Sequence, residues 1–300
     1  MKTPSHQGIV PIFKPSGMTS SAVTAKIKRF LGKKTGHFGT LDPMASGVLP
    51  VMLGGATKLS EYMPETKEYT AVLKLGYRTD TGDVTGKTVA TADIPALTRE
   101  NIEKVLLSFM GEIMQTPPIY SALSVNGKRL YEYAVRGEEV EIKSRPITIY
   151  GIELVNFIND EITFKVNCGK GTYIRTLCED IAKKLGTEGT MSALERILSG
   201  GIQKENCVDF DEFISSDDPY KYVIPPSEYL SFYPAVNLNK TAVSYYKNGG
   251  EINSERAEGL SIGIFRVFFE NTLLGLGKGY CKEEKLYLKA VWHCIEDENQ

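Results

Sequence analysis

Two segments far apart in the chain alternate apolar and polar residues with a period of two, and no other feature restricts the fold as strongly. Residues 69–77, YTAVLKLGY, put Ala71, Leu73, Leu75 and Tyr77 on one face; residues 162–168, ITFKVNC, do the same with Ile162, Phe164, Val166 and Cys168. A strand patterned in this way buries one face only, so it requires a sheet and a layer to cover it. Helical stripes supply that layer. Val23, Ile27, Phe30 and Leu31 recur at helical spacing after a capping Ser20 or Ser21, with Gly32 closing the helix. Thr98 caps a second helix over about 99–110, with Ile102, Val105, Leu106 and Phe109 on one stripe. A third follows GKGTY, with Ile174, Leu177, Cys178, Ile181 and Leu185 on one face and Gly186 at its end. GIVPIF at 8–13 reads as a short strand, and 115–137 as a proline-stiffened loop ending in a short helix stopped by Gly137. The links between strands are too irregular for a repeating βαβ pattern. The expectation is an α+β fold with a mainly antiparallel central sheet flanked by helices.

At 300 residues the chain is long enough for one large domain and a small one. Three regions are expected: a large domain over 1–208, a connector over 209–236 and a small all-β module over 237–300. The connector stands out because residues 205–232 hold Glu205, Asp209, Asp211, Glu212, Asp217, Asp218 and Glu228 against a single Lys221. No apolar run is long enough to span a membrane and the N-terminus MKTPSHQG has no signal-peptide core, so a cytoplasmic protein without a membrane partner is expected. The five cysteines form no C-x-x-C pair and there are three histidines, so no structural metal is expected.

Net charge is −2, yet its distribution is uneven. Residues 1–60 carry Lys2, Lys14, Lys26, Lys28, Arg29, Lys33, Lys34 and Lys58 against one acid, Asp42. That surplus of seven leaves the remaining residues at −9. A basic field of this kind suits a polyanion, whose phosphates take Lys14, Lys26, Arg29, Lys33 and Lys34 as candidate contacts. A solvated helix face explains the same charges equally well.

Within that field lies GHFGTLDPMASGVLPV, residues 36–51, expected to be a loop running into the apolar VML at 51–53. Asp-Pro is an ordinary turn initiator. Here, however, Gly36, Gly39 and Gly47 allow close backbone approach, and Ala45 and Ser46 leave room beside Asp42. The arrangement presents one carboxylate to a ligand.

This stretch resembles the signature of the TruB family of tRNA pseudouridine synthases, and the match continues in register. KPSGMTS at 14–20, KEY at 67–69 and GKGTYIRTL at 169–177 are similar to three further motifs of that family, and LGYRTDTGDVTG at 75–86 and PPIYSALSVNGKRLYEYAVRG at 117–137 fit it too. The resemblance covers roughly 8–200. From 237 onward the chain is similar in position and pattern to the PUA-type RNA-binding module of many relatives.

The resemblance implies a pseudouridine synthase fold and a reaction in which a uridine is isomerised to pseudouridine without a cofactor. It implies tRNA as partner, through its T-arm, with position 55 as the target. Asp42 becomes the essential carboxylate, either a nucleophile at the sugar or the group that starts glycosidic cleavage. Both roles need the ionised form, which a contacting cation favours, and Arg175 matches the family's arginine. Tyr69 matches the tyrosine that stacks on the flipped base, Tyr173 a second substrate-contacting tyrosine, His37 a histidine that touches the RNA, and Leu194 a leucine lining the uracil pocket. Two departures stand out. Glu195 replaces the arginine of the usual Leu-Arg-Arg, and Phe38 stands where many relatives carry a smaller residue. A stand-alone monomer is the default expectation. Competing readings are an RNA-binding or RNA-folding protein of the same fold, and a pseudouridine synthase acting on another RNA.

Overall fold

The computed structural model describes residues 7–294, which leaves Lys2 of the basic stretch and His6 outside the described residues. Its centre is a ten-stranded sheet. From one edge the strands run Val208–Asp209, Gly8–Lys14, Ser46–Leu53, Gly189–Ser199, Lys67–Leu75, Glu161–Cys168, Arg145–Ile158 and Gly111–Gln115. Thr35–His37 pairs beside Ser46–Leu53, and Ile202–Gln203 beside Gly189–Ser199. Pairing is antiparallel except at Gly8–Lys14 with Val208–Asp209 and at a two-residue contact where Glu195 and Arg196 meet Ser46 and Gly47.

The period-two segments occupy the middle of this sheet, where both neighbours are available. Lys67–Leu75 is paired along its length with Glu161–Cys168 on one side and Gly189–Ser199 on the other. Tyr69, Ala71, Leu73 and Leu75 are buried against the helices Arg99–Leu107 and Ile174–Lys184, together with Phe164, Val166 and Leu177. Tyr77 does not continue that face. Gly76 turns with φ +97°, and Tyr77–Thr79 pairs instead with Thr88–Thr91 in a separate ribbon.

The 36–51 stretch is less of a loop than its composition suggests. Thr35–His37 and Ser46–Leu53 are both strands, and only the stretch between them is irregular. Sheet neighbours on both sides override the low strand propensity of Gly47 and Pro50. The first helix, Ser20–Leu31, is capped by Thr19, whose side chain accepts from Ala22 N–H, rather than by Ser20 or Ser21. Ser20 is otherwise engaged, as described below.

The acidic stretch folds against the sheet. Phe210 and Phe213 pack under Ser20–Leu31, and Tyr229 and Leu230 pack beside Ile9 and Ile202, while all seven acids point to solvent. Residues from Ala235 onward form a second, six-stranded sheet with its own core of Val236, Leu238, Phe265, Val267 and Leu288. One helix, Lys240–Lys247, accompanies it. The module is fixed to the larger body through Leu273, Leu276 and Trp292, which pack against Met52, Ala56 and Leu59; the Trp292 indole N–H donates to the Gly55 carbonyl at 3.1 Å. No helix among the described residues is long and apolar enough to cross a membrane.

Candidate active site

The segment 38–45 is held from three sides by residues of the KPSGMTS segment and of the central sheet. Ser20 Oγ accepts from Leu41 N–H at 2.9 Å and donates to the Leu41 carbonyl at 3.2 Å, a reciprocal clasp on the residue before Asp42. Ser16 Oγ donates to the Met44 carbonyl, and Gly17 N–H to that of Pro43. From the sheet, Arg196 is fully buried, with Nε on the Val48 carbonyl at 2.7 Å and Nη2 on that of Gly39 at 2.9 Å. Gly47 lies opposite Arg196 with φ +112°, and a Cβ there would stand 2.2 Å from the Arg196 carbonyl oxygen. The glycine is what lets the two strands meet.

Lys14 departs from the phosphate-contact expectation. Its side chain is fully buried, and the amine donates to the carbonyls of Pro15, Met18 and Pro43 at 2.8, 2.7 and 3.4 Å. Burial, and then Arg196 nearby, pull its pKa down to about 8. It therefore braces the Asp42 segment internally. Lys26, Arg29 and Lys34 are exposed and Lys33 is partly buried, on or just beyond the first helix and away from the pocket lining.

The clamped segment delivers Asp42 to a pocket of about 700 Å³. Arg175 faces it from the first turn of Ile174–Lys184. Nε donates to one carboxylate oxygen at 2.9 Å and Nη2 to the other at 3.1 Å, a bidentate pair across 133 residues of sequence. The guanidinium has no freedom to turn away, because Nη1 also donates to the Thr81 carbonyl at 2.8 Å and Nη2 to that of Tyr120 at 2.9 Å. Arg175 is buried, while the Asp42 side chain keeps 30% of its surface open to the pocket. The acid is thus charge-compensated on one side and accessible on the other.

Tyr69 and Leu194 form the sheet-side wall, and Tyr173 the helix-side wall. Tyr69 is buried, and its phenol pKa is raised by that burial against the opposing pull of Arg196, so the hydroxyl keeps its proton. Tyr173 is fixed through its backbone: its N–H donates to Gln115 Oε1 at 2.8 Å, and its carbonyl accepts from Gln115 Nε2 at 3.0 Å. The opposite side is covered by Tyr120, Ser121, Ala122, Leu123 and Tyr131.

His37 is not among the residues lining this pocket. It sits on the edge strand opposite Val51, with Nδ1 buried and without a hydrogen-bond partner. Burial and then Arg196 lower its pKa, which keeps the imidazole neutral. The substituted Glu195 forms an ion pair with Lys204 at 2.6 Å. Two functional candidates went unread in the sequence, the pocket-lining Lys67 and the buried Arg196. Neither carries a local signal beyond its place inside a motif. Among the described residues no group of three or more His, Cys, Asp or Glu side chains could hold a metal.

The chain is similar to known proteins along most of its length. Residues 28–174 match the TruB family pseudouridylate synthase N-terminal domain, and residues 175–230 the tRNA pseudouridylate synthase B C-terminal domain. The tRNA pseudouridine synthase B of Clostridium kluyveri is 45% identical over 275 residues, covering 90% of this chain and 94% of the relative. That of Hydrogenovibrio crunogenus is 40% identical over 284 residues, covering 94% and 92%. Among solved structures, an H/ACA RNP bound to a substrate RNA containing 2'-deoxyuridine superposes with a TM-score of 0.72 at 25% identity, covering 97% of this chain and 86% of that one. An archaeal box H/ACA Nop10-Cbf5 complex gives 0.71 at 25% identity, covering 99% and 90%. With the family's domains matched across most of its central sheet and an aspartate-arginine pair at the heart of its pocket, the chain belongs to the TruB family of pseudouridylate synthases.

Proposed function

We infer that the pocket isomerises a uridine of tRNA to pseudouridine, and we propose the T-loop uridine at position 55 as the target. The observation that carries this reading is the Asp42 carboxylate, paired bidentately with Arg175 yet open to a cavity walled by Tyr69 and Leu194. The reaction breaks the N1–C1′ bond, forms C5–C1′, releases the proton from C5 and leaves one on N1. Substrate and product are isomers, so the balance closes without a co-reactant.

A uridine inside a stacked loop cannot reach Asp42 and has to be extruded, at a cost of a few kcal/mol. Stacking on an aromatic side chain offsets about 1–3 kcal/mol of that cost. Tyr69 is the platform, with Leu194 and Tyr173 completing the seat. Arg175 compensates the charge of Asp42 and orients it through two hydrogen bonds, so the carboxylate meets the sugar either as a nucleophile or as the group that starts cleavage. The cations exposed around the first helix, Lys26, Arg29 and Lys34, with the partly buried Lys33, attract the RNA backbone. His37 contacts the RNA outside the base pocket.

The same reading divides the chain into a catalytic domain over 1–208, an acidic connector over 209–236 and an RNA-binding module over 237–300, acting as a monomer in the cytoplasm. The separate six-stranded sheet supports the last of these regions. The H/ACA likeness supports a second reading, a synthase for another RNA, which a panel of stem-loops separates from the first. An RNA-folding protein would have no need of the Asp42–Arg175 pair.

The test is tritium release from 5-tritiated uridine in a T-arm stem-loop without added cofactor. Wild type releases tritium; Asp42→Asn lowers the rate by on the order of 10⁴-fold or more while RNA affinity stays nearly intact. Equal release by the two proteins overturns the assignment of Asp42.

A further inference from the structure

The pocket contains a cation that the chemistry above does not use. Lys67 precedes Tyr69 by two residues on the same strand, so both side chains stand on one face, about 7 Å apart along the backbone. The Lys67 side chain lines the pocket and is partly buried. Its amine lies 5.8 Å from the centroid of the Phe38 ring and makes no hydrogen bond or ion pair with any described residue. The acid that acts on it through space, Glu65, is bound to Lys170 at 2.6 Å. Asp42 is taken by Arg175.

The surroundings keep the amine in place without neutralising it. A Cβ at Gly39 would come within 3.2 Å of Lys67 Cε and 3.3 Å of Arg196 Nη1, so the missing side chain at 39 is what admits both cations. Arg196 is spent on backbone carbonyls and Arg175 on Asp42, which leaves Lys67 as the pocket-lining cation without an anion among the described residues. Phe38 gives the ammonium its π face, and the ring is itself fixed in the cluster with Met63 and Ile202. An ammonium withdrawn from water with no counter-ion carries an uncompensated desolvation cost. Burial first, and then Arg196, depress its proton affinity. An arriving anion offsets both, and the anion that an RNA strand carries is its phosphodiester.

We propose that Lys67, braced by the Phe38 ring, is a substrate-binding residue that receives a backbone phosphate of the strand whose uridine enters the pocket. The inference rests on the reading of the pocket as a pseudouridine synthase site. It gives the Phe38 departure a purpose, since a smaller residue at 38 would leave the amine without its aromatic support. It also separates two contacts: Tyr69 takes the base, and Lys67 takes the backbone one nucleotide's reach away.

The test measures T-arm stem-loop affinity and tritium release across salt concentrations for wild type, Lys67→Met, Lys67→Gln and Lys67→Arg. For Lys67→Met the expected result is an approximately tenfold rise in Kd and KM at low salt. The slope of log K against log[salt] becomes shallower by about 0.7–0.9, with kcat within about twofold. Lys67→Arg restores the slope, and Phe38→Leu weakens binding in the same direction by less. Lys67→Gln is read in the same way should Lys67→Met lose its fold. An unchanged slope in the charge-removing variants overturns the proposal. So does a fall in kcat at unchanged slope, which would put the amine on a base atom. Wild type that binds RNA but releases no tritium overturns the functional reading instead, and the salt slope still reports whether Lys67 meets a phosphate.

Discussion

The two walls of the Asp42 pocket are built in opposite ways. Segment 38–45 is tied down by buried polar groups: Lys14 on the Pro43 carbonyl, Ser20 on Leu41, Arg196 on Gly39, and Arg175 on Asp42 itself. The facing segment, 117–137, is tied to the body chiefly by the Arg175 bond to the Tyr120 carbonyl and otherwise folds on itself, through Leu123 with Leu130, Ser121 with Tyr131, and Arg129 with Ala122. It leaves apolar surface in water, with Tyr131 46% and Val135 79% exposed. The first wall holds an acid in one orientation, as catalysis by a positioned group requires. The second presents adaptable apolar surface to a macromolecule. Arg175 is bonded to both walls, so chemistry and closure of the pocket meet at one guanidinium.

If that contrast is right, substitutions on the first wall act on kcat and stability, and those on the second act on KM. After the loss of Asp42 itself, the largest effect is expected from Arg175→Lys. The charge survives, but a lysine cannot hold both carboxylate oxygens together with the Thr81 and Tyr120 carbonyls. Single-turnover tritium release falls on the order of 100-fold with RNA affinity within about twofold; a preserved rate would break the contrast at its centre. Next comes Ser20→Ala, which leaves the Leu41 N–H and carbonyl unpaired in the interior. Denaturant unfolding shows a loss of about 1–3 kcal/mol, accompanied by a lower kcat. Tyr131→Ala sharpens the other side. KM rises roughly fivefold, equivalent to about 1 kcal/mol of lost aromatic contact, while kcat and unfolding midpoint stay near wild type.

The smallest effect is a pH dependence carried by His37. Its folded-state pKa is lowered, by burial and then by Arg196, so below the ordinary value of 6.5 the unfolded chain takes up the proton more readily. Stability is therefore unaffected by this group above about 6.5 and is lost as pH falls below it. His37→Gln loses less stability than wild type between pH 7 and pH 5, as followed by thermal unfolding. A variant that tracks wild type across that range removes His37 from the interior.

Legibility in the sequence depended on whether a property is local. Period-two segments became the strands Lys67–Leu75 and Glu161–Cys168, and Thr98 and Gly137 ended helices where their types suggest, because hydrogen bonding and side-chain direction are fixed within a few residues. Ser46–Leu53 was not legible as a full strand, because its Gly and Pro residues are tolerated only once Gly8–Lys14 and Arg196 flank it. In the site, Asp42, Tyr69, Tyr173, Arg175 and Leu194 could be singled out by resemblance and do share one pocket, whereas His37 stands outside it. Lys14 and Lys26 look alike in a charge count, yet one is wholly buried and the other exposed.

What the sequence by itself determined is a sheet with one helix-covered face, a glycine-flanked acid in a basic stretch, and a separate small module at the C-terminal end. Only the tertiary structure decided that Lys14 braces the interior, that Arg175 grips Asp42 with two nitrogens, and that Lys67 faces the cavity over the Phe38 ring with no anion bound to it among the described residues. Backbone periodicity is a property of neighbours along the chain, whereas the fate of a charge depends on which distant groups and how much water the fold leaves beside it.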